Sequence, residues 1–173
     1  YILNMTSQTW LSSSDTTLSV WTHQLVVIVP DHMRPPSQSD VARAFLWITG
    51  GDNDDPPKYP KATDEDIVVA ASIAMNTGTI TASLFQVPNQ KMVFASDPIQ
   101  KSRGEDAVIA FTWRHFVIED PSDAEWLLRL PMTKAAVRAL DTISAFANSK
   151  GLGTPSEFGV AGASKRGWTT WTT

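Results

Sequence analysis

The chain has 173 residues, enough for one domain with a substantial hydrophobic core or for a large part of a bigger domain. Its 42% hydrophobic and 18% charged residues are an ordinary globular composition, and its net charge of −4 argues against nucleic-acid binding, which needs a basic face. There is no cysteine, which excludes disulfides, cysteine nucleophiles and thiolate metal sites. No apolar run approaches the roughly 20 residues of a membrane span.

The first 51 residues predict three strands. Residues 1–12 alternate loosely between polar and apolar side chains, and residues 21–30 form an apolar run that ends at a proline. A polar loop over 31–40 follows. Residues 42–51 are then almost continuously apolar and end in two glycines, which is typical of a strand buried on both faces of a parallel sheet.

A helix and a fourth strand come next. Residues 63–66 provide a capping threonine and three acids ahead of an apolar helical stretch over 67–75. Asn76, Thr77 and Gly78 close that helix, because glycine readily adopts the left-handed conformation at a helix end. Residues 79–88 predict the fourth strand.

The remaining residues predict three helices, a fifth strand and a last helix. Helical spacing runs over 104–118, a short helix begins at 120, and the clearest helix starts at Pro131 and stops at Gly151. Residues 158–164 are a short strand, and a helix follows from 165. Helices between buried strands predict an α/β fold with a mostly parallel sheet and helices on both faces. No repeat or linker divides the chain.

The turn between the last predicted strand and helix carries Ser164. In α/β-hydrolases the nucleophilic serine lies on a strained strand-to-helix turn, flanked by small residues. Here Gly162 precedes the serine by two positions, but Arg166 follows by two and the second glycine is displaced to Gly167. The backbone N–H of Lys165 would help to stabilise an oxyanion. Alternatively, Ser164 simply caps the last helix.

A second glycine turn follows the third predicted strand. Gly50 and Gly51 come after Thr49, in the loop that supplies the second oxyanion donor in α/β-hydrolases. Glycines there let the backbone approach a ligand closely. An ordinary turn at a strand end would leave the same pattern.

Other polar residues have simpler explanations. The three histidines, His23, His32 and His115, have no partner at a telling spacing, so none is assigned as a catalytic base. The acids around Asp52 fail the EF-hand pattern because prolines follow them, and we expect a solvated acidic loop and no metal site. Glu105 suits the start of a helix.

The basic pair Lys165 and Arg166 allows two interpretations. The two cations could attract an anionic substrate, or they could be charges on a helix surface. Trp168 and Trp171, in the same helix, are expected to anchor the core. Asn4 begins an Asn-Met-Thr glycosylation sequon, which would be used only if the protein is secreted.

Several long blocks of the chain resemble one protein family. The blocks YILNMTSQTWL, QVPNQ, GEDAVIAFTW, LRLPMTKAAVRALD and GASKRGWTTW are similar to the PhoPQ-activated pathogenicity-related family over essentially the whole chain. The resemblance implies an α/β-hydrolase-like fold with its nucleophile elbow at 158–171. It makes Ser164 the nucleophile and Lys165 an oxyanion donor, with Gly50 and Gly51 as further donor candidates. No cofactor is implied.

Members of this family are longer than 173 residues, and the triad acid and histidine would follow the elbow in the order Ser, acid, His. Residues 1–173 are therefore expected to be the N-terminal portion of one hydrolase-like domain. Its partner would be the remainder of the same polypeptide. We expect the isolated chain to be inactive and to expose an unpaired sheet edge.

Two functions follow from the resemblance. The first is a serine hydrolase that acts on a small-molecule or peptide ester or amide. The second is a secreted signalling protein that uses the scaffold without catalysis and binds a cell-surface receptor, because one family member is a secreted growth repressor. The resemblance also implies a secreted or extracytoplasmic protein.

Overall fold

A computed structural model describes residues 1–34 and 42–173. The predicted loop over 31–40 lies largely outside the described residues. The regular elements are β1 (Ile2–Thr9), β2 (Val20–Ile28), β3 (Arg43–Ile48), α1 (Glu65–Thr77), β4 (Ile80–Leu84), α2 (Asp106–Arg114), α3 (Arg129–Ser149), β5 (Glu157–Gly162) and α4 (Lys165–Thr172). A π-helical segment over His115–Glu119 continues α2, and a 3₁₀ turn over Ala124–Trp126 precedes α3.

The five strands form one sheet in the order β1-β2-β4-β3-β5. The β1–β2 and β2–β4 pairings are antiparallel, whereas β3 pairs in parallel with both β4 and β5. The fold is therefore α/β with a mixed sheet, and the prediction of a mostly parallel sheet is wrong. Continuous apolar runs report burial on both faces, and helix-covered antiparallel strands such as β2 meet that condition too.

Helices cover both faces of the sheet, as predicted. On one face, the apolar side chains of β3 and β4 join those of α3 in the main core, which includes Leu46, Leu84, Met132 and Ile143. On the other face, α1 buries Ile67, Ala70 and Ala74, and polar contacts to β4 add to this packing. In β4, Thr81 Oγ1 donates to the carbonyl of Ala70 at 2.9 Å, and Ser83 Oγ donates to that of Asp66.

One predicted helix boundary is found in the structure, and another is shifted. Gly78 ends α1 with φ of 65° and donates its N–H to Ala74, as predicted. The short helix expected from residue 120 is reduced to the 3₁₀ turn, and α3 begins at Arg129, two residues before Pro131. Within residues 1–34 and 42–173, no helix is both long and apolar enough to cross a bilayer.

The strand order reverses its winding at β3, beside β5. From β3 the chain passes to β4 on one side and then returns to β5 on the other side, so the winding reverses at β3. In open α/β sheets, ligands bind beyond the carboxyl ends of the strands at such a reversal. In the β3–β5 register, Ile48 is paired with Gly162, so the segments after these two residues meet at one edge.

Candidate functional site

Ser164 lies on a strained turn at that edge. It connects β5 to α4 with φ of 54° and ψ of −122°, a conformation that residues with a side chain rarely adopt. The residue is exposed, and its side chain makes no capping hydrogen bond to α4. The alternative in which Ser164 serves as a capping side chain is therefore not supported. Lys165 is the first residue of α4, where N–H groups have no intrahelical acceptor.

Close packing explains the two glycines around the serine. A Cβ at Gly162 would lie 2.9 Å from Cβ and from the carbonyl oxygen of Arg166, and a Cβ at Gly167 would lie 3.0 Å from the carbonyl oxygen of Gly162. The strand and the helix thus touch at both glycines. Arg166 is tolerated between them because its guanidinium extends away, with Nε donating to the carbonyl of Val87 at 2.6 Å.

The glycine turn after β3 approaches the same place. A Cβ at Gly50 would overlap the guanidinium of Arg166, so the structure brings Gly50 against the residue two positions after Ser164. The carbonyl of Gly50 accepts the N–H of Gln86 at 2.9 Å. Gly51, with φ of 122°, lies farther along the loop beside Gln86. The close approach expected of a glycine is thus found at Gly50, whose backbone packs against the side chain of Arg166.

Lys165 and Arg166 are paired with carboxylates. Lys165 Nζ contacts Glu105 Oε2 and lies 3.1 Å from Asp106 Oδ1. Arg166 Nη2 lies 2.5 Å from Glu105 Oε1, and Nη1 donates to Glu105 Oε2 at 3.1 Å. The side chains of both cations are largely buried, at 11% and 13% exposure. They are neither plain helix-surface charges nor free to attract an anionic substrate.

The carboxylate of Glu105 is ionised at neutral pH. Burial alone would raise the pKa of Glu105, but the hydrogen bonds from Arg166 and Lys165 and their positive charges outweigh it and lower that pKa to about 2. Gln90 adds a further contact, since its Nε2 donates to Glu105 Oε1 at 3.1 Å.

Sequence reasoning missed the roles of Glu105 and Gln90. Glu105 stands at the start of α2, as its N-cap, as expected, but its side chain also bonds across to α4. No spacing rule connects residues separated by 60 positions in the chain. The available signal was the QVPNQ and GEDAVIAFTW blocks of the family resemblance, which contain these two residues.

Arg129 holds the other side of the elbow. Its Nη1 donates to the carbonyl of Lys165 at 3.0 Å, and its guanidinium carbon lies 4.0 Å from the ring centroid of Trp168. Trp168 remains 48% exposed and Trp171 is 91% exposed. Within the described residues these two tryptophans therefore do not anchor the core, contrary to the prediction, because the outer face of α4 is uncovered there.

None of the three histidines is hydrogen-bonded to Ser164 in the described parts of the chain. His23 is buried and bonded to Ser7 and to the carbonyl of Phe85. His115 contacts Glu119 and stacks on Trp126, with ring centroids 3.8 Å apart. His32 is exposed in a loop.

The acidic loop and the sequon are also located. Asp52 pairs with Lys91 and accepts a hydrogen bond from Gln90, and Asp54 pairs with Lys58, so these acids form ion pairs with lysines. Asn4 is an exposed residue of β1, an edge strand of the sheet.

Comparisons with known proteins assign the family. The family description that matches residues 1–173 is "PhoPQ-activated pathogenicity-related protein". The chain is 38% identical over 171 residues to the autocrine proliferation repressor protein A of Dictyostelium discoideum, covering 99% of this chain and 32% of that protein. The chain thus spans about a third of the length of this curated relative. No solved structure matches the chain. The chain belongs to the PhoPQ-activated pathogenicity-related protein family.

Proposed function

We propose that this chain carries the nucleophile of a serine hydrolase, with Ser164 attacking an ester or amide carbonyl. The observation that carries the proposal is the backbone of Ser164. Its φ of 54° is strained, its side chain is exposed, and no capping bond explains its position. Strained residues at a ligand-binding edge are typical of functional sites. The α/β-hydrolase-like fold is part of the proposal, supported by an elbow after β5 and a glycine turn after β3.

The chemistry would proceed through an acyl-enzyme. Ser164 Oγ forms a bond to the carbonyl carbon, its proton passes to a base, and the alcohol or amine leaves with that proton before water releases the acyl group. The N–H of Lys165, at the positive end of α4, would stabilise the tetrahedral oxyanion. Gly50 or Gly51 would supply the second donor.

The base and its acid would come from further polypeptide. None of the histidines in the described residues contacts Ser164, and the curated relative is about three times as long as this chain. Within the described residues, β5 pairs only with β3, and the outer face of α4 is exposed around Trp171. These surfaces are where the remainder of the domain would add. We therefore expect residues 1–173 alone to be inactive.

A fluorophosphonate probe tests the proposal, because it reacts covalently with activated serines. The full-length protein should be labelled once per chain, and Ser164→Ala should abolish the labelling. Ser7→Ala is the matched control, because Ser7 is a buried serine of the same chain. Labelling of Ser164→Ala at the native rate, or no labelling of the native protein, would contradict a serine hydrolase.

The family relationship favours a second candidate function, a secreted signalling protein that binds a receptor. The relative named an autocrine proliferation repressor is the observation behind it. In an assay of cell proliferation, a non-catalytic signal would survive Ser164→Ala, whereas a catalytic one would be lost. Secretion would also expose the sequon at Asn4 to glycosylation, and loss of one glycan mass in Asn4→Gln would show that the sequon is used.

A further inference from the structure

Glu105 and Ser164 share one unusual backbone conformation. The side chain of Glu105 bonds Lys165 and Arg166, and Ser164 directly precedes these two residues in the chain. Glu105 has φ of 52° and ψ of −126°, and Ser164 has φ of 54° and ψ of −122°. Each stands at the N-cap of a helix, α2 or α4, and neither makes a capping bond with its side chain. Such conformations persist only where the surroundings hold them by several contacts.

Glu105 supplies those contacts for the turn at Ser164. Its two carboxylate oxygens bond the side chains of Lys165 and Arg166, the two residues that directly follow the serine. The contact with Arg166 is bidentate, which fixes orientation as well as distance. Because these side chains begin at the first turn of α4, holding them restricts the backbone that starts at Ser164.

Gln90 holds Glu105 in turn. Its Oε1 accepts the backbone N–H of Glu105 at 2.6 Å, and its Nε2 donates to Glu105 Oε1 and to Asp52 Oδ1. Asp52 directly follows the glycine turn after β3. The Glu105 cluster, made of Glu105, Gln90, Lys165 and Arg166, therefore connects the serine turn to the segment proposed to carry the second oxyanion donor.

We propose that Glu105 is a positioning residue for Ser164, acting through Lys165 and Arg166 to hold the serine turn and the Gly50 turn in register. The inference rests on the proposed hydrolase function. Glu105 does not contact the substrate in this role. Its loss should lower the rate at which Ser164 reacts without changing how tightly a probe binds.

The test compares Glu105→Gln with Asp106→Asn in the full-length protein. Both variants remove one negative charge beside Lys165, but only Glu105 bonds Arg166, and the side chain of Asp106 is 83% exposed. Fluorophosphonate labelling is followed to completion at several probe concentrations. This separates the maximal rate constant, the half-saturating concentration and the final labelled fraction.

For Glu105→Gln we expect the maximal rate constant to fall by at least tenfold, with the half-saturating concentration and the final labelled fraction unchanged. Asp106→Asn should change the rate constant by less than about threefold. An unchanged rate constant in Glu105→Gln would overturn the inference. So would a lower labelled fraction at the native rate, since that is the signature of partial unfolding.

A second measurement tests the positioning role of Glu105 independently of the proposed hydrolase function. If the native protein is not labelled, the hydrolase proposal fails, and hydrogen exchange then tests the cluster alone. Glu105→Gln should accelerate exchange by at least tenfold relative to Asp106→Asn at the amides of Arg166 and Trp168, which donate to the carbonyls of Ala163 and Ser164, and leave those of α3 unchanged. Equal exchange in the two variants would overturn the positioning role.

Discussion

Two serines of this chain lie in opposite surroundings. Ser7 in β1 is buried, and its Oγ lies 2.9 Å from Nε2 of His23, whose Nδ1 lies 3.0 Å from the carbonyl oxygen of Phe85. Ser164 is exposed, lies on a strained turn and has no histidine beside it in the described residues. By contact alone, Ser7 would be the better candidate for a nucleophile.

The comparison shows that a Ser–His contact does not make a catalytic pair. His23 is 2% exposed, and burial lowers its pKa to about 4, so it remains neutral and holds two segments of the core together. No substrate can reach Ser7. Accessibility and backbone strain distinguish Ser164, and a base can be brought to an exposed serine by another part of a protein.

The largest effect should come from breaking the structural pair at His23. His23→Ala leaves a cavity and removes the partner of Ser7 and of the Phe85 carbonyl. We expect the free energy of unfolding to fall by about 3–5 kcal/mol, measured by chemical denaturation of the full-length protein. His32→Ala, at an exposed loop position, should change it by less than about 0.5 kcal/mol. Similar losses in both variants would contradict a structural role for His23.

The pH dependence of stability sharpens the comparison. His23 takes up a proton near 6.5 when unfolded but only near 4 when folded, so the unfolded state binds more protons between these values. Above about pH 6.5, His23 is neutral in both states and does not lower the free energy of unfolding. That free energy should fall by about 3 kcal/mol as the pH is lowered to about 4. In His23→Gln, the free energy of unfolding, obtained from denaturation midpoints, should no longer show this fall between about pH 6.5 and 4. An unchanged slope would mean that His23 is not the group responsible.

The smallest expected effects are at the two serines, where substitutions should change the free energy of unfolding in opposite directions. Ser164→Gly relieves a positive φ and should raise the free energy of unfolding by about 1 kcal/mol, as strain relief exceeds the entropy cost of glycine. Ser7→Ala removes a buried hydrogen bond and should lower the free energy by about 1 kcal/mol. Thermal unfolding of the two variants measures both. A loss of stability in Ser164→Gly would argue against strain at the turn.

Much of the fold was predictable because its elements carry local signals. The sequence predicts β1 from its loose alternation, the other four strands from apolar runs, and the helix ends at Gly78 and Gly151 from glycines. The direction of β1 and β2 in the sheet was not predictable, because an apolar run reports burial and carries no information about strand direction. The exposure of Trp168 and Trp171 was missed for a related reason, since residue type sets a preference for burial and the rest of the chain decides it.

The site was predictable only in part. Ser164 and Gly50 stood out because glycine spacing is local, and the β3–β5 pairing brings their segments to one edge. Glu105 could not be found in this way. Its partners Lys165 and Arg166 are about 60 positions away, and only the tertiary fold brings a carboxylate to them.

The pairing of β3 with β5 also sets the order in which this protein can mature. Arg43 and Glu157, paired at the start of that ladder, are separated by 114 positions, whereas β1 and β2 are joined by a short connection. Ladders between distant segments form late, because a long loop must close before its contacts are made. During synthesis, the β1–β2 hairpin can therefore form well before the serine turn exists. Ser164 can therefore take up its strained turn only after β5 has been synthesised and has paired with β3.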